Sequence, residues 1–295
     1  MHDLIITLNK LLSYWWVRII FFFGLNYFIY LFFQIFDLFN HSPFLFLAIT
    51  LILANIIIEM FRAGSKWYAF GFHFSKRFFS DFLIALTIVC SSFGIIIGIS
   101  FVLGCNLSFT YNYHNLSQSL EHYMDLFLLA ASEELLFRGI IFQALIDRFN
   151  PYIMVFIFSF LFSVAHSNNP NFSMFAVFNI FLANLLMSVM YIQTRSLWLP
   201  IFYHYLWNLS QVLLGIPVSG YAQPDNLYTI NTKSTHSAYS LIIGGKFGIE
   251  EGLLTTMILI ISIYFIFRKA KPNPYITSVI FRRRFSESIL NESKI

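Results

Sequence analysis

The chain has 295 residues, of which 58% are hydrophobic, only 11% are charged and 38 are phenylalanine. This composition argues against a soluble enzyme of ordinary make-up and indicates a polytopic membrane protein. The formal net charge of +4 does not point to a nucleic-acid partner, because the basic residues separate by membrane side instead of forming one patch.

Eight apolar runs approach the ~20 residues that a membrane-spanning helix needs. Their approximate ranges are 16–36, 43–60, 82–104, 124–145, 151–166, 172–192, 197–215 and 252–267. The predicted fold class is therefore all-α, a polytopic membrane helix bundle with about eight transmembrane helices.

Lysine and arginine give the orientation of these spans. If the N-terminus and every second loop share one side, that side holds 15 of the 18 basic residues. The opposite side holds only Lys233 and Lys246, and Arg138 lies within a span. Because basic loops stay in the cytoplasm, both termini are predicted to be cytoplasmic. The polar segment 217–250 then faces outward, and its composition favours irregular structure.

The fourth run contains two adjacent carboxylates and an arginine, Glu133, Glu134 and Arg138. Ionisable side chains at membrane depth are costly and usually functional. Residues four apart share a helix face, so Arg138 is expected to pair with Glu134, while Glu133 points about 100° away. Glu133 is thus the carboxylate left for another task.

Two further polar pairs follow at helical spacing, Phe162 with His166 and His204 with Asn208. Taken alone, His166 is more typical of an interfacial histidine, and the His204–Asn208 pair could simply join two helices. Three such clusters in three of four consecutive spans favour a shared site instead.

Two chemistries fit these groups, and both hydrolyse an acyl bond. In the first, a glutamate and a histidine activate water, and the second histidine with the asparagine stabilises the oxyanion. In the second, two histidines and a glutamate bind a divalent metal and the other glutamate acts as general base. The chain has no His-Glu-x-x-His, no Gly-x-Ser-Gly and no intramembrane aspartate pair, so the usual zinc, serine and aspartyl intramembrane proteases are excluded.

The motifs Glu-Glu-x-x-x-Arg at 133–138, Phe-x-x-x-His at 162–166 and His-x-x-x-Asn at 204–208 resemble those of the CAAX protease and bacteriocin-processing (CPBP, or Abi) family. This family of intramembrane proteases includes the type II CAAX prenyl endopeptidases. The segment 194–201 is similar to the family's lead-in to its third motif. The run Gly-Gly-x-Phe-Gly-x-Glu at 244–250 is similar to a feature of many bacterial members.

The resemblance implies a role for each position. Glu133 would be the general base, assisted by His166, and His204 with Asn208 would stabilise the oxyanion. Glu134 and Arg138 would hold the site in shape, and Phe162 would support it. A zinc ion held by His166, His204 and Glu133 and a metal-free glutamate mechanism are both argued for the family. Asn208 slightly favours the metal-free mechanism, because asparagine is a poor zinc ligand.

The expected organisation has four parts. Residues 1–122 form about three N-terminal spans, 123–216 a CPBP-like catalytic core of four spans, 217–251 an extracytoplasmic loop, and 252–295 the last span with a basic tail. With these edges the three motifs lie at depths that differ by roughly 12 Å. Either the edges are wrong by about two to four residues, which is the expectation, or the helix of Phe-x-x-x-His tilts or ends inside the membrane.

The leading hypothesis is a prokaryotic plasma-membrane endopeptidase that cuts a membrane-associated protein or peptide. Prenylated substrates are not expected for a bacterial member. Two other hypotheses stay open: a non-catalytic membrane scaffold or regulator of the same fold, and an ion-coupled transporter that uses Glu133, Glu134 and His204.

Overall fold

The computed structural model describes residues 2–36, 43–61, 70–72, 74, 77–104, 106–111, 116–222, 228–233 and 238–269. The described helices are α1 His2–Leu11, α2 Trp15–Ile35, α3 Pro43–Phe61, α4 Phe78–Val102, α5 Leu116–Arg138, α6 Ile140–Ile146, α7 Pro151–Ala165, α8 Met174–Thr194, α9 Trp198–Leu213, α10 Tyr239–Ile242 and α11 Leu253–Lys269. The membrane part is a helix bundle, as predicted. The predicted basic tail lies mostly outside the described residues.

Four of the long described helices are apolar enough to cross a membrane. By length and composition α2, α3, α4 and α8 qualify as spans, and two further apolar helices, α7 and α11, are shorter. Local signals fix several ends: Asn150 accepts from the Tyr152 amide at the start of α7, and Ser173 accepts from the Ala176 amide at the start of α8. Such side chains satisfy amide donors that a helix start leaves unpaired.

The fourth span differs from its predicted form in two ways. Its helix α5 begins at Leu116, eight residues before the predicted edge, and it ends at Arg138. A break at Gly139 separates α5 from the short α6. The buried side chain of Asn55, on α3, accepts from the Ile140 amide at 2.7 Å and so caps the start of α6.

Two buried apolar clusters meet along α8, which is the most enclosed of the four long spans. One cluster joins α8 to α2, α3, α5, α6 and α7, and the other joins it to α4, α9 and α11. Large apolar side chains on the outside of the bundle, such as Ile20 and Phe156, are exposed, as expected for groups that face lipid.

A two-stranded ribbon is an addition to the predicted all-α architecture. Strand β1, Asn106–Tyr111, pairs antiparallel with β2, Tyr228–Lys233, with Asn106 opposite Lys233. The interpretation of 217–250 as irregular structure was therefore wrong for β2. Both segments are rich in aromatic and β-branched residues, which favour strands once two segments lie side by side.

Contacts between loops agree with the alternation of sides inferred from the basic residues. The ribbon joins two loops that were both assigned to the outer side. On the other side, Arg18 pairs with Asp147 at 3.1 Å, and the Leu197 amide donates to the Gly71 carbonyl at 3.0 Å. Each contact connects segments predicted to share a side.

Candidate active site

The last turn of α5 carries a fully buried ion pair. Arg138 Nη1 lies 2.8 Å from Glu134 Oε2, and neither side chain is exposed to any extent (0% for both). The pair has the i,i+4 geometry predicted from the sequence. Arg138 also donates to the Asn184 carbonyl of α8 at 3.0 Å, and its guanidinium lies 5.7 Å from the centre of the Phe162 ring of α7. The pair therefore ties three helices together.

Glu133 points away from this pair, as its place on the helix predicts. Its side chain is 25% exposed, whereas that of Glu134 is fully enclosed. Its Oε2 atom is buried and makes no hydrogen bond, and it lies 3.8 Å from His204 Nε2. That separation is too long for a direct hydrogen bond, but a water molecule could bind both atoms.

His204, in the second turn of α9, is held between the two glutamates. Its Nδ1 lies 3.0 Å from Glu134 Oε1. Because an ionised carboxylate can only accept, the hydrogen of this bond is assigned to Nδ1. Glu134 thereby orients the ring so that Nε2 faces Glu133. Sequence spacing could not reveal this contact, since the two residues are 70 positions apart.

His166 lies at the C-terminal end of α7. Its Nδ1 lies 2.8 Å from the Phe162 carbonyl, which accepts the hydrogen and leaves Nε2 as the ring's second nitrogen. The Phe162 ring lies 4.6 Å from the His166 ring and 6.2 Å from the His204 ring, between centroids, so it packs between the histidines.

The helix bounds bear on the predicted mismatch in depth. With 15 residues, α7 is about 22 Å long, shorter than the ~30 Å hydrocarbon core. Helix α5 starts at Leu116, and Glu133 lies in its last two turns. The misplaced edge of α5 exceeds the two to four residues that were expected.

A small cavity lies beside these groups. Its polar lining includes His166, His204 and Asn208, together with Ser219 and Glu250 from the outer loops. The volume open to the centres of water molecules is about 40 Å³, which is enough for a few waters. The α8 residue Asn179 and the α11 residue Thr255 also line the cavity.

Sequence reasoning missed part of this lining. Glu250 was noted only as the end of the glycine-rich run, and Asn179 and Ser219 were not singled out. The glutamate that ends this run was the one available signal, since asparagine and serine are common in spans and loops alike.

The three residues proposed as zinc ligands do not form one ligand set. Within the described part of the chain, no group of three or more histidine, cysteine, aspartate or glutamate residues is arranged to hold a metal ion. The Nδ1 atoms of His166 and His204 are engaged by the Phe162 carbonyl and by Glu134, which leaves the Nε2 atom of each ring as the nitrogen that could bind a metal. A zinc ion bound by His166, His204 and Glu133 therefore stays a prediction.

Comparison with known proteins points to membrane peptidases. Residues 115–210 match the family model described as type II CAAX prenyl endopeptidase Rce1-like, and all seven predicted site residues fall within this range. A curated protein of Bacillus subtilis, named "Putative membrane peptidase YdiL", is 29% identical over 116 residues. That alignment covers 39% of this chain and 41% of the relative, so the chain spans less than half of the relative's length. The CPBP-family resemblance indicated by the three motifs is confirmed by these matches.

Proposed function

We propose that the protein is an intramembrane endopeptidase of the CPBP type, which hydrolyses a peptide bond of a membrane-associated protein or peptide with water activated by Glu133. The observation that carries the proposal is the 3.8 Å gap between Glu133 Oε2 and His204 Nε2, next to a cavity lined by His204 and Asn208. A free carboxylate oxygen at such a gap is suited to binding and deprotonating water.

The reaction needs no other group for its proton balance. Water bound by Glu133 would lose a proton to the carboxylate while its oxygen attacks the scissile carbonyl carbon. The oxyanion that forms would accept hydrogen bonds from the Asn208 amide and from His204 Nε2. The C–N bond then breaks, and the proton held by Glu133 passes to the leaving amine, which restores the carboxylate.

His204 can donate from Nε2 only as an imidazolium, because its Nδ1 hydrogen is directed at Glu134. The carboxylates on both sides of the ring favour that charged form electrostatically. His204 would thus act directly beside Glu133. His166, in the wall of the cavity, is proposed to assist Glu133 from there.

The decisive experiment uses purified protein in liposomes with a mixture of lipid-anchored peptides that carry a fluorophore and a quencher on either side of randomised residues. Glu133→Gln should lower the cleavage rate at least about 100-fold, as expected for loss of a general base. Thermal stability should change little, because Glu133 Oε2 makes no hydrogen bond in the folded protein.

Glu121→Gln is the matched control, since Glu121 lies exposed on the same helix and should be dispensable. A strong chelator, with and without added zinc, distinguishes the two mechanisms: the metal-free reading expects unchanged rates. Loss of cleavage on chelation and recovery with zinc would contradict the metal-free mechanism but would still support protease activity.

The other two functions give different results in cells. Wild type and Glu133→Gln are compared by mapping new protein N-termini in membranes of an expressing bacterium. Identical N-termini, no peptide cleavage and a mutant that still supports the cell would refute the protease and favour the scaffold. Transport that persists without peptide turnover would favour the transporter. We also propose that the protein lies in the plasma membrane of a prokaryote and binds no nucleic acid. Its role would be peptide maturation, bacteriocin immunity or regulated proteolysis.

A further inference from the structure

Three outer loops meet over the cavity and are here named the cap: residues 167–173, 217–221 and 244–252. Asn169 donates to the Ser219 carbonyl at 3.0 Å, and the Gly220 amide donates to the Phe247 carbonyl at 3.0 Å. The first loop leaves α7 directly after His166, and the third ends at the start of α11. The cap is therefore built from loops that begin or end at the helices of the site.

The glycine-rich run 244–250 is shaped to close this cap. Gly248 has a φ of 107°, and a Cβ there would lie 2.3 Å from the Pro217 carbonyl oxygen of the neighbouring loop. Only glycine combines that backbone conformation with such a close approach. The run thus brings its final residue, Glu250, to a fixed place against the second loop.

Glu250 is 8% exposed and its carboxylate faces the cavity. It accepts from Ser219 through the amide at 3.0 Å and through the hydroxyl at 2.9 Å, and from Trp207 Nε1 at 3.3 Å. Trp207 Nε1 is also 3.2 Å from the Gln211 side-chain oxygen when that amide takes its better-satisfied orientation, so its hydrogen is shared between the two acceptors. No lysine or arginine of the described residues lies within ion-pair distance of it. A buried carboxylate held only by neutral donors is a demanding feature to maintain, which indicates a specific task.

The backbone next to Glu250 is fixed as well. Asn179, on α8, donates to the carbonyls of Glu250 at 2.8 Å and Gly252 at 3.0 Å, and it accepts from Thr256 on α11 at 2.6 Å. These bonds are buried or nearly so. The Glu250 side chain is consequently presented to α9 from a rigid support.

Trp207 connects this support to the proposed chemistry. It precedes Asn208 directly and follows His204 by three positions, so all three lie in the same stretch of α9. We propose that Glu250 is a positioning residue: by holding Trp207 and Ser219 together, it fixes the turn of α9 that carries His204 and Asn208 and keeps the cap closed over the cavity. This inference rests on the proposed function for its kinetic test, and it has a second test that does not.

The kinetic test compares Glu250→Gln with Glu251→Gln in the liposome cleavage assay. Glu251 is the matched control, because it is adjacent and, among the described residues, its carboxylate accepts only from the Phe247 amide, at 3.4 Å. Glu250→Gln should lower kcat by roughly 10- to 100-fold, the effect of a misplaced catalytic group, with KM within about twofold. A variant that combines Glu250→Gln with Trp207→Phe should lose less activity than the two single losses combined, since both changes remove the Trp207–Glu250 contact.

The second test measures the cap without any cleavage. In a background with Cys90→Ser and Cys105→Ser, Ala183→Cys places a thiol in the cavity wall. Labelling by a membrane-impermeant maleimide from outside should be slow, should quicken about tenfold when Glu250→Gln is added, and should not change with Glu251→Gln.

The outcomes separate the two proposals. If Glu250→Gln is labelled faster but wild type cleaves no peptide, the role of Glu250 in the cap stands and the proposed protease activity is refuted. Unchanged kcat and unchanged labelling in an active Glu250→Gln variant would overturn the inference alone. A rise in KM with normal kcat would also overturn it, because Glu250 would then contact substrate instead of positioning α9.

Discussion

The break between α5 and α6 gives the most direct test of how the site is held. A Cβ on Gly139 would lie 2.1 Å from the Leu135 carbonyl oxygen and 2.5 Å from Asn55 Oδ1. Gly139→Ala must therefore displace the backbone, the asparagine or both. Overpacking of this kind costs about 1–3 kcal/mol, and loss of the buried Asn55–Ile140 hydrogen bond costs a further ~1–3 kcal/mol. The expected destabilisation is about 2–6 kcal/mol.

The assay is reversible unfolding of the purified protein in mixed micelles. Gly94→Ala is the control, because a Cβ at this glycine of α4 meets nothing within 4 Å. An exposed helical glycine replaced by alanine should be neutral or gain up to about 1 kcal/mol. Equal stability of the two variants would refute the claim that the break is a packed, sterically fixed feature. Since Arg138 immediately precedes Gly139, cleavage activity should fall in Gly139→Ala and persist in Gly94→Ala.

Two further predictions concern charge and orientation. Arg138→Met should destabilise the protein by about 3–5 kcal/mol in the same unfolding assay, because it leaves Glu134 buried without its partner. Adding Glu134→Gln should recover much of that loss. A small effect of Arg138→Met alone would contradict the buried ion pair. An impermeant thiol reagent applied to intact cells should label Ser240→Cys but not Arg148→Cys, both exposed positions, in a chain without its native cysteines; the reverse pattern would invert the assigned orientation.

The helical period accounts for what the sequence could predict within one element. It placed Glu134 and Arg138 on one face and Glu133 on another, and the distances agree. It could not give the rotation of one helix against another. The hydrogen bond from His204 to Glu134 depends on how α5 and α9 face each other, and no spacing in the chain encodes that angle.

Hydropathy accounts for the existence of the spans but not for their edges. Gly139 stands in an apolar run and looks unremarkable there, yet the break at this position depends on Asn55, which lies 85 residues from Ile140 in the chain. In the same way, polar composition predicted a loop at 217–250 but neither its strand nor the burial of Glu250. Both features arise from partners that are remote in sequence.

The different surroundings of the two glutamates bear on the choice between hydrolysis and ion transport. Both oxygens of Glu134 lie within 3.0 Å of Arg138 or His204, and its side chain is fully buried. A carboxylate that exchanges ions must release and regain such partners in each cycle, which Glu134 could do only by breaking its ion pair. Of the two glutamates, only Glu133 is partly exposed, and its Oε2 atom has no hydrogen bond or close ion pair to hold it. One fixed carboxylate that orients an imidazole and one partly exposed carboxylate beside it suit the single-base hydrolytic reaction proposed above.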